Sequence, residues 1–298
     1  MIHDFFAAYT PPPATPLLQQ NGVRLWLKRL DLSHPQLSGN KWYKLWHNLT
    51  AAQAQGHTRL LTFGGAYSNH IVATAKAGEL FGFQTIGLIR GEENLPLNPA
   101  LRRAKQSGMA LVYISRGTYR LRHDPEWLAS LPERFGAHYL IPEGGSNGLA
   151  LEGCRHILTS EEYAHFDHVA VSMGTGGTLA GLLLGSTRPN QIMGFSSLKG
   201  GGFLRESVRE HLADYARIFG REPAVPSWQL HTDYALGGFA KRPPELLRFL
   251  QDVEQAYGIA LEGVYVGKLL YGLLDMIEAG HFPVGSDVLA VVTGRPLE

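Results

Sequence analysis

Lys41 is the residue of this sequence best suited to bond covalently to an aldehyde. It follows a Gly-Asn turn in the stretch SGNKWYKL (residues 38–45), at the start of an aromatic run that is predicted to be helical. A buried lysine beside a second cation has a lowered pKa, and its neutral amine attacks carbonyl carbons. Lys44, one helical turn later, would supply that cation. Because most lysines are exposed and unreactive, the motifs that accompany Lys41 decide its interpretation.

A glycine-rich stretch, SMGTGGTLAG (residues 172–181), has the composition of a phosphate-binding loop. Glycines permit positive φ angles and close approach of an anion to backbone amides, and the N-terminus of a following helix favours negative charge. Thr175 and Thr178 would add hydroxyl donors. The stretch is neither GxxxxGK[ST] nor GxGxxG, so a phosphate not borne by a nucleotide fits it better. A tight turn without a ligand is the alternative.

A second glycine-rich corner, FGGAYSNH (residues 63–70), also joins an apolar run to a helical one. Ser68 and Asn69 would lie at the helix N-terminus, where both residue types are preferred caps without any ligand. Capping alone therefore accounts for this corner. His70 is the histidine expected to face a ligand cleft.

Both corners belong to a regular alternation of short apolar runs and helical stretches, which is typical of parallel βαβ units. RLLTFGG precedes SNHIVATAKAGELFG, QTIGLIRG precedes NPALRRAKQSG, and HVAVSMG precedes GTLAGLLLGS. Further strands are expected at LVYIS, HYLIPEGG, IMGFSSL and VLAVVTG. This number of strands exceeds one small sheet, and 298 residues suffice for two lobes with a ligand cleft between them.

The motifs at these corners occur in the same order along the chain as in a known family. The stretches SGNKWYKL, GGAYSNH, IPEGGSN, GTGGTLAG, VYVGK followed by GLLDMI, and VLAVVTG resemble those of the 1-aminocyclopropane-1-carboxylate (ACC) deaminase and D-cysteine desulfhydrase family. That family is part of the tryptophan synthase β-like, fold type II, pyridoxal-phosphate (PLP) enzymes. The resemblance implies an α/β fold with two open twisted parallel-sheet domains. The large domain is expected at residues 1–47 and 155–298 and the small one at 48–154, with PLP in the cleft between them.

The resemblance also implies roles for single residues. Lys41 stands at the position of the cofactor-bearing lysine, and Asn69 at the position that hydrogen-bonds the 3′-oxygen of PLP. Ser68 matches the reactive serine beside the substrate carboxylate. Tyr265 in VYVGK matches a tyrosine near cofactor and substrate, with packing at a strand end as the alternative. The phosphate loop is expected at Gly174, Thr175, Gly176, Gly177 and Thr178.

Three positions depart from the deaminase pattern. ACC deaminases resemble one another in a Glu that meets the pyridine nitrogen and in a Leu near the C-terminus, where this chain has Val266 and Thr293. A Thr293 hydroxyl at that nitrogen would stabilise positive charge less than a carboxylate does, so ring opening of ACC is disfavoured. Desulfhydrase-like members carry Ser or Thr at the position of Val266, so that match is also imperfect. Phe239 replaces a further family tyrosine and removes a hydroxyl.

The sequence therefore predicts breakdown of a small amino acid, D-cysteine first, to pyruvate, ammonia and hydrogen sulfide. ACC deamination or another fold type II lyase or deaminase reaction is the alternative, and a catalytically silent PLP-binding or amino-acid-binding protein is an alternative of another class. Homodimers are common in the resembling family, so a homodimer is the expected assembly. A metal is not expected, because no carboxylate or cysteine set completes a site around His165 and His168.

Composition limits the partners. A formal net charge of +1 gives no extended basic field for nucleic acid, and the cluster Arg116, Arg120 and Arg122 is expected to be a solvated face. One cysteine, Cys154, excludes an intramolecular disulfide. Neither a signal peptide nor an apolar run of membrane-spanning length is evident, so a cytoplasmic protein without membrane partners is expected.

Overall fold

A computed structural model describes residues 2–37 and 39–296, and it contains two sheets covered by helices. The larger sheet has the spatial order β1 (Ala14–Gln20), β2 (Val23–Arg29), β10 (Asp287–Val292), β7 (His168–Met173), β8 (Ile192–Ser196) and β9 (Gln229–His231). The smaller sheet has the order β5 (Ala110–Ile114), β4 (Gln84–Arg90), β3 (Arg59–Gly64) and β6 (Tyr139–Ile141). The predicted class of two parallel-sheet α/β domains is confirmed.

Helices connect and cover the strands. Within the described residues they are α1 (Ile2–Ala7), α2 (Asn40–Ala54), α3 (Asn69–Phe81), α4 (Pro99–Gln106), α5 (Arg116–Arg120), α6 (Pro125–Phe135), α7 (Gly148–Cys154), α8 (Ser160–His165), α9 (Gly177–Gly185), α10 (Leu204–Phe219), α11 (Pro244–Tyr257) and α12 (Val266–Glu278). Their apolar faces complete the cores on both sides of the sheets.

The central strands of the larger sheet are buried on both faces, as their continuous apolar sequences require. Alternate residues of neighbouring strands β7 and β10 lie side by side, for example Val169 with Leu289 and Ala170 with Ala290. Val169 and Leu289 pack in one core cluster with residues of α9, whereas Ala170 and Ala290 pack in the other with residues of α12. Successive side chains of each strand therefore face opposite helix layers, as the two-residue period of a strand requires.

Each of the seven strands expected from the sequence is present, although HYLIPEGG contributes only Tyr139–Ile141. Strands β1, β2 and β9 were not expected. β1 pairs with β2 in antiparallel orientation, so the larger sheet carries one antiparallel edge strand on an otherwise parallel sheet. β1 and β2 are joined by a short turn at Asn21 and Gly22, a connection too short for the crossover that parallel strands need.

The strands of the larger sheet lie in residues 14–29 and 168–292, and those of the smaller sheet in residues 59–141. The expected boundary between residues 47 and 48 falls inside α2, which is one continuous helix. At the other boundary, α7 packs against α2, α9 and α10. The domain limits at 48 and 154 therefore stay a prediction, because α2 and α7 form a layer shared by both halves.

Close packing of α7 on α2 depends on Gly153. A Cβ atom at this position would overlap the backbone carbonyl oxygen of Tyr43 in α2. We expect Gly153→Ala to lower the free energy of unfolding by about 2 kcal/mol, because the clash outweighs the higher helix propensity of alanine. Gly202→Ala is the control, since its Cβ would meet no atom within 4 Å. Urea unfolding curves that coincide for the two variants would contradict this account.

Candidate active site

Two switch points in strand order bring the candidate residues together. In the larger sheet, β8 lies on one side of β7 and β10 on the other; in the smaller sheet, β4 lies on one side of β3 and β6 on the other. Ligands of open α/β sheets bind outside the carboxyl ends of strands at such points. The loop after β3 begins at Gly65 and that after β6 at Pro142; the loops after β7 and β10 begin at Gly174 and Thr293. The cleft lies among these loops.

Lys41 lies in the first turn of α2, where its ammonium nitrogen is 2.7 Å from Oδ1 of Asn40. The backbone N–H of Asn40 donates to the carbonyl oxygen of Thr293 at 2.9 Å, which fixes the start of α2 against the end of β10. Burial, and then the charge of Lys44, lowers the pKa of Lys41 to about 7. A large share of this amine is therefore neutral at physiological pH. Ser38, the first residue of the motif, lies outside the described residues.

Lys44 is the neighbouring cation that the sequence suggested, and it is 2% exposed. Its ammonium group donates to Oγ of Ser146 at 2.7 Å and to the carbonyl oxygen of Gly144 at 3.1 Å. Burial lowers the pKa of Lys44 to about 8. Within the described part of the chain, no carboxylate lies in ion-pair contact with Lys44, so this buried charge lacks a counter-anion.

The predicted phosphate loop lies directly beside Lys44. A Cβ built on Gly177 would be 2.6 Å from Oγ of Ser146 and 3.2 Å from Nζ of Lys44, so only glycine leaves this space open. Gly176 has φ +85°, in the left-handed region that favours glycine. The loop thus lies between the buried ammonium group of Lys44 and the N-terminus of α9.

Both threonines of the loop are oriented by hydrogen bonds. Oγ1 of Thr178 accepts a hydrogen bond from Nδ2 of Asn40 at 2.8 Å, which leaves its own hydrogen free to donate. Oγ1 of Thr175 lies 2.6 Å from Oγ of Ser146. The first N–H groups of α9 have no partner within the helix. The arrangement can bind a phosphate through a cation, hydroxyls and amides together.

The corner after β3 presents Ser68 and Asn69 at the start of α3. Oγ of Ser68 caps the helix by accepting from the N–H of Ile71 at 3.4 Å, as the capping alternative expected. Oδ1 of Asn69 is buried and lacks a hydrogen-bond partner among the described residues, and its Nδ2 lies near Gly294. A buried acceptor without a donor is costly, so Oδ1 of Asn69 fits a ligand that supplies one.

His70 is almost completely buried next to the two lysines. Thr62 donates through its hydroxyl to the carbonyl oxygen of Ile141, so it accepts from Nε2–H of His70 at 2.8 Å. This hydrogen bond fixes the tautomer and leaves a lone pair on Nδ1. Burial, followed by the charges of Lys41 and Lys44, lowers the pKa of His70 well below its ordinary value. The ring is therefore neutral.

Tyr265 reaches the cleft from the N-terminus of α12, where its ring packs on Gly174. Burial, and then the negative charges of Glu262 and Glu143, raises the pKa of the Tyr265 hydroxyl well above its usual value. The hydroxyl is therefore protonated. The ring of Phe239 lies 5.9 Å from that of Tyr265, edge to face, so the aromatic that replaces a family tyrosine does lie at the site.

Val266 and Thr293, where this chain departs from the deaminase pattern, have different environments. Val266 is 1% exposed and packs in the core cluster of α12. Oγ1 of Thr293 lies 3.5 Å from Oγ of Ser172, at the end of β10. Val266 offers no polar atom to a ligand, whereas Thr293 presents a hydroxyl at the switch point.

Two contributors were missed by the sequence reasoning. Ser146 lies in the IPEGGSN stretch, which was used only as a family motif, and Glu262 had no motif of its own. The Glu262 carboxylate is buried and accepts N–H groups of Val264, Tyr265 and Val266 at 2.7–2.8 Å. It therefore holds the turn that carries Tyr265. An acidic residue just before a helix start is the signal that could have identified it.

The donor set fits PLP. The phosphate loop with Lys44 suits a dianion, the half-neutral amine of Lys41 suits an aldehyde, and the unpaired Oδ1 of Asn69 suits a further polar group. The family described as pyridoxal-phosphate dependent enzyme matches residues 6–294. The chain belongs to this family. It is therefore a PLP-dependent enzyme.

Similar proteins carry related names. A Pyrococcus horikoshii protein named putative 1-aminocyclopropane-1-carboxylate deaminase is 31% identical, over 92% of this chain and 85% of that protein. An Arabidopsis thaliana protein is named bifunctional D-cysteine desulfhydrase/1-aminocyclopropane-1-carboxylate deaminase, mitochondrial. It is 31% identical, over 92% of this chain and 73% of that protein. The crystal structure of an ACC deaminase homologue superposes with a TM-score of 0.80 at 27% identity, covering 98% of this chain and 94% of that one.

Two other features were searched in the described ranges. No group of three or more His, Cys, Asp or Glu side chains there has the geometry to hold a metal ion. No helix there combines the length and the apolar composition that crossing a membrane requires. His165 approaches Asp287 and packs on Trp26 and Phe166, whereas His168 packs on Phe282, so the two histidines have separate environments.

The lowered pKa of Lys41 predicts how the protein without cofactor takes up PLP. Because only the neutral amine attacks the aldehyde, the rate of uptake should rise with pH and half-saturate near the pKa of about 7. An ordinary lysine would give a midpoint of about 10.4. Stopped-flow absorbance after mixing with PLP measures the rate. Lys76→Met, at a surface pair with Glu79, should leave the midpoint unchanged. A midpoint above about pH 9 would contradict the burial of Lys41.

Proposed function

We propose that this enzyme breaks down a small amino acid by elimination and deamination, with D-cysteine as the substrate that the site fits best. D-cysteine and water would give pyruvate, ammonia and hydrogen sulfide. The observation that carries the choice of substrate is the pair Val266 and Thr293, an apolar side chain and a hydroxyl where ACC deaminases carry Glu and Leu. The similar proteins named for D-cysteine desulfhydrase activity support it.

Lys41 is proposed to hold the cofactor and, once freed by the substrate amine, to move the Cα proton. When bound, PLP supplies an electron sink for the carbon that loses this proton. A lysine pKa of about 7 supports both roles, because the amine must be neutral to accept the proton and must release it readily afterwards. Asn40, 2.7 Å from the amine, would orient it.

The remaining site residues are proposed to bind and orient. Asn69 would donate through Nδ2 to the 3′-oxygen of PLP, and Thr293 would approach its ring nitrogen. The loop from Gly174 to Thr178 would bind its phosphate with Lys44. Ser68 and the amides near the start of α3 would receive the substrate carboxylate, since anions are stabilised there. Tyr265, protonated and packed on Gly174, would lie beside cofactor and substrate.

ACC deamination is the second candidate, supported by the names of the archaeal relatives at 30–31% identity. A protein that binds PLP without turnover is the remaining alternative. The cytoplasm is the proposed setting, supported by a single cysteine, Cys154, that is buried and free. A homodimer is the proposed assembly, and its support is the family resemblance alone.

The first test uses the purified protein loaded with PLP. We expect an absorbance band of lysine-bound cofactor, loss of that band on borohydride reduction, and a reduced cofactor attached to the peptide containing Lys41. D-cysteine should then release sulfide and pyruvate in equal amounts, and ACC should give little 2-oxobutanoate. Lys41→Ala should remove both the band and the turnover while the circular dichroism spectrum is kept.

Three results would change the assignment. Faster turnover of ACC than of D-cysteine would favour the second candidate. PLP binding without turnover of any D- or L-amino acid would favour the silent alternative. A wild-type band in Lys41→Ala would remove Lys41 from its role.

Ser68→Ala tests the proposed carboxylate site. Because Ser68 caps α3, a loss of about 1 kcal/mol of stability is expected in any case. A role in substrate binding predicts in addition a higher KM for D-cysteine, with PLP absorbance unchanged. Thr159→Ala, which removes the helix cap of α8, is the control for capping alone. Kinetics equal to those of wild type for every amino acid tested would remove Ser68 from the site.

A further inference from the structure

A group of charged and aromatic side chains lines the small-sheet side of the cleft. We define this tyrosine–arginine cluster as Arg90, Tyr119, Arg122 and Glu143. Arg90 is the last residue of β4, Tyr119 lies in α5 after β5, and Glu143 follows β6, so all of them stand at the carboxyl edge where ligands of such sheets bind. The roles proposed above use none of them.

Hydrogen bonds and ion pairs hold most of the cluster rigid. Tyr119 is 2% exposed, and its hydroxyl donates to Oε1 of Glu143 at 2.5 Å. Nε of Arg122 donates to Oε2 of the same carboxylate at 2.6 Å. Arg122, expected from the sequence to be part of a solvated face, is thus an ion-pair partner inside the cleft wall. Both oxygens of Glu143 are engaged.

Arg90 is a cation of this cluster, and it has no carboxylate partner among the described residues. Its guanidinium lies over the ring of Tyr119, 5.6 Å from the centroid, as in a cation–π contact. Across the described ranges, Arg90 makes no ion pair and no hydrogen bond with a carboxylate. Glu143 is already matched by Arg122. The cluster therefore carries one positive charge in excess, on Arg90.

The position of Arg90 indicates what this charge binds. A Cβ built on Gly65 would lie 3.6 Å from Nη2 of Arg90, so the guanidinium is next to the loop between β3 and α3. That loop and the N-terminus of α3 are the proposed receptor for the substrate carboxylate. Arg90 is itself an exposed residue. Arg90 thus lies between the substrate loop and solvent.

We propose that Arg90 is a substrate-binding residue whose guanidinium pairs with the α-carboxylate of the amino acid. The inference rests on the proposed function, since it uses the same carboxylate site. Guanidinium is suited to this task because it matches a carboxylate with two parallel N–H groups. The ring of Tyr119 holds the guanidinium in place before the substrate arrives, so less conformational freedom is lost on binding.

The test compares two ligands that differ only in the carboxylate. D-alanine and ethylamine both bind PLP-loaded protein through their amines, and neither has a β-leaving group. Absorbance titration gives a dissociation constant for each. We expect Arg90→Gln to weaken D-alanine roughly tenfold or more and to leave ethylamine unchanged. Arg90→Lys keeps the charge without the planar donor pair. Its dissociation constant for D-alanine should lie between those of wild type and Arg90→Gln. If wild type prefers L-alanine, that enantiomer is used.

Arg134→Gln is the matched control. Arg134 is also exposed and lies over an aromatic ring, that of Phe135, at 5.2 Å. It stands at the amino edge of the small sheet, where Arg59 of β3 donates to the carbonyl oxygen of Phe135. The same change in net charge there should leave both dissociation constants unchanged. D-alanine binding reduced equally by both variants would indicate only a long-range effect of charge.

Other outcomes would overturn the assignment of Arg90. Equal weakening of D-alanine and ethylamine would mean that the carboxylate is not the partner. Unchanged D-alanine binding in Arg90→Gln would remove Arg90 from the substrate site. Failure of the proposed function is seen separately, because it appears in wild type as an absence of D-cysteine turnover.

Discussion

Lys44 is a buried cation on which much of the site depends. Its ammonium group holds Ser146 and Gly144 from the loop after β6, and Ser146 in turn holds Thr175 from the loop after β7. The two halves of the protein are thus joined at the point where a phosphate is expected. The charge of Lys44 also lowers the pKa of Lys41, second to burial. Lys44 therefore lies where it can act on both the predicted phosphate loop and the amine of Lys41.

Parallel strand order explains why residues far apart in sequence reach the same cleft. Each strand of a parallel sheet ends at the same edge, so the residues that follow β3, β6, β7 and β10 come together there. The glycines at these ends let loops approach closely, as Gly177 does toward Lys44 and Gly174 toward Tyr265. Helices α2 and α12 then add Lys41 and Tyr265 from outside the sheets. Loops and helix starts thus carry the candidate residues, and the strands determine their spacing.

The buried carboxylate of Glu262 fixes the conformation of the turn that carries Tyr265. The carboxylate is satisfied by three backbone N–H groups at the start of α12, although burial raises its pKa. The adjacent Val266 points into the apolar core of α12. The turn thus presents the Tyr265 ring to the cleft, and the next residue, Val266, brings no carboxylate with it. With the proposed contact to Thr293, the cofactor ring would be a weaker electron sink than one beside a carboxylate, which suits loss of a good leaving group.

The sequence by itself determined the fold class and the seven parallel-sheet strands, because apolar runs and glycine-rich corners are local features of the chain. The resemblance of its motifs to a known family indicated the cofactor and the candidate site residues. The sequence also suggested that Lys44 would lower the pKa of Lys41, since a spacing of one helical turn is fixed locally. Only the tertiary structure decided that Lys44 lies beside the loop after β7 and that Arg90 has no carboxylate partner among the described residues. Each of these depends on residues about 50 or more positions apart or on burial, and the order of strands in a sheet is not encoded in any single stretch of sequence.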